Sequence, residues 1–172
     1  TLGQTARAQR LLGGAPPADA VARIGWLHAK VRLARAENKP TRALLDEIAE
    51  QAVVSPRSER LTWQVQIELA RELDAAEAVA LAQQVADESR AKRTYSAYLP
   101  AKAMLVDGLR RARRHDESTR TARGLTDDLA TRAAIGLYPA EYWWLIFQAF
   151  SAAGDHVDAT TSLAKAVDWI NT

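Results

Sequence analysis

Apolar residues recur at alternating steps of four and three along most of this 172-residue chain, and short turn-forming segments interrupt the pattern at regular distances. This spacing places apolar side chains on one face of a helix. One such stripe consists of Ala20, Ile24, Leu27, Val31 and Ala34. β-Branched residues are scattered and never alternate as they would in a strand, and alanine, the best helix former, dominates the apolar share. The chain is therefore predicted to be all-α.

Prolines and short polar segments mark where the helices begin and end. Proline suits the first turn of a helix, because its missing N–H has no intrahelical partner there. The prolines that fit this use are Pro17, Pro40, Pro56 and Pro139. Pro100 has no such boundary beside it, so its helix is predicted to begin near Leu99 or to kink there.

The boundaries divide the chain into four helical hairpins. They are predicted at residues 17–54, 56–90, 94–136 and 139–172, and residues 1–13 are predicted to be the tail of a preceding helix. Short connections make consecutive helices antiparallel neighbours, and a helix pair that recurs about every 40 residues is typical of repeat arrays. We expect a single helical-repeat domain over residues 1–172. The chain starts at Thr1 within a helical pattern, so we interpret it as a piece of a larger protein.

The last hairpin resembles a tetratricopeptide repeat. The matching positions are Trp143, Ile146, Phe150, Gly154, Ala159, Leu163 and Ala166, whereas Phe147 and Asn171 depart from the family's pattern. The resemblance implies a right-handed superhelical stack of about four antiparallel helix pairs, an α-solenoid whose first helices line a groove for proteins or peptides. The alanine- and arginine-rich style is also similar to C-terminal helical arrays of large bacterial signalling and transcription-regulator proteins. That likeness implies a regulatory, cytoplasmic module.

Catalytic and metal-binding patterns are absent from the sequence. The chain has no cysteine, and its three histidines, at positions 28, 115 and 156, fall on different hairpins. Phosphate-binding glycine loops are missing, and the longest apolar run is far too short for a membrane span. Carboxylates such as Glu68 and the Asp127–Asp128 pair are expected on solvated helix faces. We therefore predict no enzyme, no cofactor, no metal site and no membrane partner.

One arginine cluster is a candidate anion patch. It consists of Arg110, Arg111, Arg113 and Arg114, in a helix that His115 is expected to end. Clustered arginines bind phosphate through bidentate donors, so a nucleic-acid contact along residues 110–123 is one interpretation. Basic residues also suit the last turn of a helix, and acidic residues stand close by. Because the net charge is only +2 and aromatic residues are not interleaved, nucleic acid is disfavoured.

A second set of residues is predicted to contact a protein partner. It comprises Arg23, Lys30, Arg35, Arg93 and Lys102, which would line a groove for an acidic peptide or a carboxylate terminus, and Trp144. Trp144 points about 100° away from its neighbour Trp143, so the two indoles cannot share one helix face. The competing interpretation of the basic residues is a solvated helix surface.

The sequence thus predicts a protein–protein interaction or scaffolding module, the regulatory helical part of a larger bacterial protein. A small-molecule-sensing domain, in which the helices enclose a ligand, is the alternative. An open face would favour the first function, and a closed apolar cavity would favour the second.

Overall fold

The computed structural model describes residues 2–54, 59–132 and 137–171, and every regular element in these ranges is a helix, which confirms the predicted all-α class. The helices are α1 (Leu2–Leu12), α2 (Ala20–Ala36), α3 (Arg42–Val54), α4 (Glu59–Ala70), α5 (Ala75–Ala91), α6 (Tyr95–Arg111), α7 (His115–Thr131), α8 (Pro139–Ala152) and α9 (His156–Ile170). None of them is long and apolar enough to cross a membrane. The helix start predicted at Pro56 and the hairpin end predicted at residue 136 lie outside the described residues.

The chain divides into two compact units, Thr1–Leu69 and Ala70–Thr172. In the first unit α2 packs against α1 and α3. Four residues of the stripe predicted on α2 are buried: Ile24, Leu27 and Val31 are fully enclosed, and Ala34 is nearly so. Together with residues from α3 and α4 they form the core, which consists of Ile24, Leu27, Val31, Leu45, Ile48 and Val65. The single domain expected over residues 1–172 stays a prediction.

In the second unit α6 is the central helix. It packs against α5, α7 and α8, and α8 packs in turn against α7 and α9. Small residues at Ala97, Ala101 and Ala103 are fully buried, so they let the neighbouring helices approach α6 closely. Because every side of α6 is covered, this helix anchors the unit.

The ends of α2, α5, α6 and α8 share one backbone arrangement. At each end one residue adopts a left-handed conformation, with φ between 53° and 78°, and the residues are Asn38, Arg93, Arg113 and Gly154. The next amide bonds back to a carbonyl five residues earlier, as Arg114 does to Leu109 and Asp155 does to Phe150. This is the Schellman termination of a helix, which satisfies carbonyls that would otherwise lack donors. Three-residue connections therefore join α5 to α6, α6 to α7, and α8 to α9.

Of the two alternatives predicted at Pro100, the helix start near Leu99 does not occur, because α6 begins at Tyr95 and includes Pro100; the kink stays a prediction. One prediction about α7 is wrong. His115 begins α7 instead of ending the preceding helix, because α6 stops at Arg111 and the left-handed Arg113 turns the chain. Arginine rarely adopts this conformation, which favours glycine. No residue type in the sequence therefore marked the turn.

Gly108 marks the closest approach between α5 and α6. A Cβ built at this position would lie 3.1 Å from Val79 Cγ2 and 3.3 Å from the Val79 backbone nitrogen. A Cβ built at Gly124 on α7 would instead lie 3.0 Å from Lys102 Nζ, the mobile end of a long side chain. The two glycines therefore differ in whether their neighbours can move.

We expect Gly108→Ala to lower the free energy of unfolding of the second unit by up to about 2 kcal/mol. Overpacking against a backbone costs roughly 1–3 kcal/mol, which exceeds the roughly 1 kcal/mol that alanine gains in helix propensity. Gly124→Ala is the matched control, and we expect a smaller loss of stability from it, since the end of the Lys102 side chain moves more easily than a backbone, although it also bonds to Asp128. Urea denaturation followed by circular dichroism measures both values. Equal effects of the two substitutions would contradict the packing described for Gly108.

Candidate functional site

The basic residues predicted on α2 contact other residues of their own unit. Arg23 donates to Glu47 at 2.8 Å, and the Lys30 ammonium lies 3.8 Å from the Trp26 ring centroid. Arg35 pairs with the Glu68 carboxylate and also donates to the Glu68 carbonyl oxygen at 3.0 Å. An acidic peptide would therefore have to compete with internal partners at each of these cations.

The Arg35–Glu68 pair sits beside a half-buried histidine. Glu68 is 7% exposed, so the expectation of a solvated carboxylate is wrong at this position. The Nε2 atom of His28 is buried and has no hydrogen-bond partner among the residues that the structure describes. Burial lowers the pKa of His28, Arg32 and Arg35 lower it further, and the Glu68 carboxylate opposes them. The first unit thus holds a neutral imidazole next to a buried ion pair.

We expect the first unit to lose stability as the pH falls below about 6.5, the ordinary pKa of histidine. The folded state holds His28 with a lowered pKa, so the unfolded chain takes up the proton first and acid favours unfolding. One proton limits the slope to about 1.4 kcal/mol per pH unit. Unfolding measurements between about pH 7.5 and pH 5 check this, and His28→Gln should flatten the slope. The exposed His156 provides the control, and an unchanged slope in His28→Gln would contradict the assignment.

Lys102 belongs to a polar cluster between α6 and α7. The Asp128 carboxylate accepts hydrogen bonds from Lys102 Nζ at 2.7 Å and from the Tyr98 hydroxyl at 3.0 Å, and Arg132 pairs with its other oxygen at 2.5 Å. Although burial opposes the charged form, the hydrogen bonds from Lys102 and Tyr98 hold the pKa of Asp128 below its usual value. The solvated face predicted for Asp128 is therefore wrong. Arg93, which was predicted to line the same groove as Lys102, lies exposed in a left-handed turn.

Two arginines of the candidate anion patch are used within the second unit. Arg110 and Arg111 both pair with Asp107, at 2.6 and 3.0 Å. Arg111 also donates to the carbonyl oxygens of Leu73 at 2.8 Å and Ala70 at 3.0 Å. These bonds hold the segment before α5 against the end of α6, which is a structural role for Arg111.

The other two arginines of the patch lie at the turn into α7. Arg114 forms two bonds of 2.6 Å to Glu117, and this hydrogen bonding lowers the pKa of the Glu117 carboxyl. Arg113 is exposed at the left-handed position, and Arg120 is exposed one turn after Asp116. Three guanidinium groups of the patch, those of Arg110, Arg111 and Arg114, therefore already bind carboxylates. The Arg113 side chain is exposed to solvent.

A cleft of about 280 Å³ lies between α7, α8 and α9 in the second unit. Trp143 and Phe150 are its aromatic side chains, and Lys165 Nζ lies 4.2 Å from the Trp143 ring centroid. Arg123 lies 5.4 Å from the Phe150 ring and pairs with Asp155 at 2.7 Å. Three helices contribute to this cleft, and the sequence analysis did not identify it. Trp143, one of the positions that match the repeat pattern, is half-buried and lines this cleft.

Trp144 belongs to a set of exposed apolar side chains on α8 and α9. Its indole is 45% exposed and lies 5.1 Å from the Phe147 ring. On α9, Leu163, Val167 and Ile170 follow the spacing of a single helix face and are 36%, 45% and 74% exposed. We call these five residues the α8–α9 face. Exposed large apolar side chains on two packed helices make these helices candidates for a contact site.

The chain was compared with protein-family models, with curated proteins and with solved structures, and none of them matches it. Among the described residues, no group of three or more His, Cys, Asp or Glu side chains is placed to hold a metal ion. The surfaces of the chain itself are therefore the basis for inferring its function.

Proposed function

We propose that this chain is a protein–protein interaction module of the tetratricopeptide-like α-solenoid type, which docks an amphipathic helix of a partner protein on the α8–α9 face. A regulatory role within a larger bacterial protein is part of the same proposal. The observation that carries it is a difference in burial between two equivalent hairpins of the second unit.

The hairpins α6–α7 and α8–α9 are equivalent in sequence position. Their left-handed turn residues, Arg113 and Gly154, lie 41 residues apart. The same shift relates Trp144 to Ala103 and Leu163 to Ala122, and both alanines are fully buried. In α6–α7 the cover comes in part from α8, which packs on both helices. The α8–α9 face thus corresponds in sequence position to the surface of α6 and α7 on which α8 packs. We propose that a partner helix packs on the α8–α9 face in the same way.

The predicted basic groove is a weaker candidate for the same function. Arg23, Arg35 and Lys102 each pair with a carboxylate inside their own unit. An acidic peptide that pairs with one of these cations displaces the internal carboxylate. The net gain in binding free energy is therefore small. We therefore place the contact surface on apolar residues, which need no such exchange.

Selection of helical peptides from a displayed library against the whole chain tests the proposal. We expect binders with an apolar residue every three or four positions, and a loss of affinity of at least about tenfold in Val167→Glu, because a carboxylate would be buried unpaired. Val157→Glu is the matched control, since Val157 is also exposed on α9 but points away from the face. If the selected peptides bind the two variants equally, the proposed surface is wrong.

The cleft between α7, α8 and α9 favours a second function, the sensing of a small molecule. Among the described residues no carboxylate pairs with Lys165, so its ammonium beside the Trp143 ring suits a small aromatic carboxylate. The volume of about 280 Å³ is close to the lower end of ligand pockets. Benzoate and indole-3-acetate should raise the melting temperature of the chain but not of Lys165→Met. An equal rise in Lys165→Met would exclude this site.

A further inference from the structure

The cleft between α7, α8 and α9 is lined by one uncompensated charge of each sign. Lys165 on α9 is the positive one, and its ammonium lies 4.2 Å from the Trp143 ring centroid. Asp127 on α7 is the negative one, since no cation of the described ranges pairs with its carboxylate. A ligand with a single charge would satisfy one of these two groups and leave the other without a partner.

The other charged side chains of the cleft already have partners. Arg123 pairs with Asp155 at 2.7 Å and with Asp158 at 3.4 Å. The same guanidinium group lies 5.4 Å from the Phe150 ring centroid. These contacts hold Arg123 at one end of the cleft, so Lys165 is the cation that remains for a ligand.

The hydroxyl groups of the cleft act as acceptors. Three side chains donate their hydroxyl hydrogen to the carbonyl oxygen four positions earlier on their own helix, at 2.8 to 3.1 Å, and they are Thr126, Thr161 and Ser162. A hydroxyl oxygen that donates in this way can still accept a hydrogen bond. With the Asp127 carboxylate, the cleft therefore offers a ligand more acceptors than donors. An ammonium group carries three donors and no acceptor, so it matches this surface.

The aromatic side chains of the cleft leave room for a ring at one end. Trp143 and Phe150 are seven residues apart on α8, which places them about 10 Å apart along the helix axis. Phe150 is buried, whereas Trp143 is half-buried, so part of the indole remains open to a ligand. An aromatic ring packs well against an indole in an offset or edge-on arrangement.

We propose that the cleft binds a small aromatic zwitterion of the α-amino-acid class, with its carboxylate on Lys165, its ammonium group on Asp127 and its ring against Trp143. This proposal rests on the second proposed function, the sensing of a small molecule, and adds the ammonium group to the ligand. The volume of about 280 Å³ is near the lower end of ligand pockets, which suits a single amino acid better than a peptide.

Three ligands that differ only in their charged groups test the proposal. They are L-phenylalanine, hydrocinnamate, which lacks the ammonium group, and phenethylamine, which lacks the carboxylate. We expect L-phenylalanine to bind the whole chain about fivefold more tightly than either of the others in isothermal titration calorimetry at neutral pH. L-Phenylalanine is the most polar of the three, so hydrophobicity alone favours the opposite order.

Substitutions assign each charge of the ligand to its partner. In Asp127→Asn, which keeps the size of the side chain, we expect the preference for L-phenylalanine over hydrocinnamate to fall below about twofold. In Lys165→Met, the preference for L-phenylalanine over phenethylamine should fall in the same way. Asp116→Asn is the matched control, since Asp116 is also exposed on α7 but does not line this cleft. Circular dichroism verifies that the variants are folded.

The outcomes separate the inference from the function on which it rests. If none of the three ligands binds the wild-type chain, the sensing function in this cleft is wrong. If hydrocinnamate binds as tightly as L-phenylalanine and Lys165→Met weakens it, the sensing function stands and the zwitterionic ligand is wrong. If Asp127→Asn and Asp116→Asn change the affinity for L-phenylalanine equally, Asp127 does not bind the ammonium group.

Discussion

Replacing Tyr142 by alanine is expected to lower the free energy of unfolding of the Ala70–Thr172 unit by about 3–5 kcal/mol. The Tyr142 ring is fully buried in α8. Its truncation removes a large aromatic surface from the interior and leaves a cavity that the surrounding helices can only partly fill. Most domains are stable by only about 5–15 kcal/mol, so the variant should be close to unfolding at 37 °C.

The hydroxyl group of Tyr142 accounts for a small part of this effect. Burial raises the pKa of the phenol well above its usual value, so the group stays neutral, and it hydrogen-bonds with the Leu137 backbone. Tyr142→Phe keeps the ring and should lose only about 1 kcal/mol. Tyr138→Ala is the matched control, since that ring is 72% exposed just before the same helix, and it should change stability by less than about 0.5 kcal/mol. Urea denaturation followed by circular dichroism measures the free energy of unfolding of the three variants. Equal losses of stability in Tyr138→Ala and Tyr142→Ala would contradict the packing described for α8.

Local signals in the sequence were sufficient for the helical class and for several helix ends. Pro139 occupies the first turn of α8, as its residue type predicted, and the Asp155 side chain accepts from the Asp158 amide at the start of α9. Both signals act within four residues, where backbone geometry and side-chain type are directly linked. The left-handed turns at Arg93 and Arg113 lack such a signal, because arginine does not favour that conformation.

The two partly buried ion pairs were missed because their partners lie far apart along the chain. Arg35 and Glu68 are 33 residues apart, and Lys102 and Asp128 are 26 apart. Helical spacing shows which face a residue occupies on its own helix, but not which residue of another helix lies opposite. The carboxylates were therefore predicted to be solvated. The cleft between α7, α8 and α9 was missed for the same reason.

The α8–α9 face lies between these two cases. The sequence identified Trp144 as a residue that points away from the Trp143 side of α8, since that follows from helix geometry alone. Leu163 was placed at a packing position of the repeat pattern, and the structure leaves it 36% exposed. A repeat pattern indicates which side chains pack against a neighbouring helix, but the fold determines whether that neighbouring helix is present. The proposed docking site depends on Leu163 being exposed where the pattern would bury it.

Replacing Glu68 by alanine is the second large effect, and we expect the Thr1–Leu69 unit to lose about 2–3 kcal/mol of its free energy of unfolding. Glu68 is nearly buried, and the Arg35 side chain is 26% exposed, so truncation leaves a partly desolvated guanidinium without its carboxylate. The remaining exposure of Arg35 keeps the loss below the value for a fully buried pair. Glu50→Ala on α3 is the control, because that side chain is exposed. Hydrogen exchange at the α2 and α4 amides assigns the change to this unit.

A double substitution distinguishes the loss of the Glu68 charge from the loss of its packing. Arg35→Met with Glu68→Leu replaces both charges by apolar side chains of similar length, and we expect it to recover more than half of the stability that Glu68→Ala loses. The reason is that the desolvation of two charges cancels much of their attraction, so an intact buried pair adds little beyond an apolar one. Recovery should be incomplete, because Arg35 also donates to the Glu68 carbonyl oxygen at 3.0 Å. If the double variant is less stable than Glu68→Ala, the charge pair itself stabilises the unit, and its attraction exceeds the cost of burial.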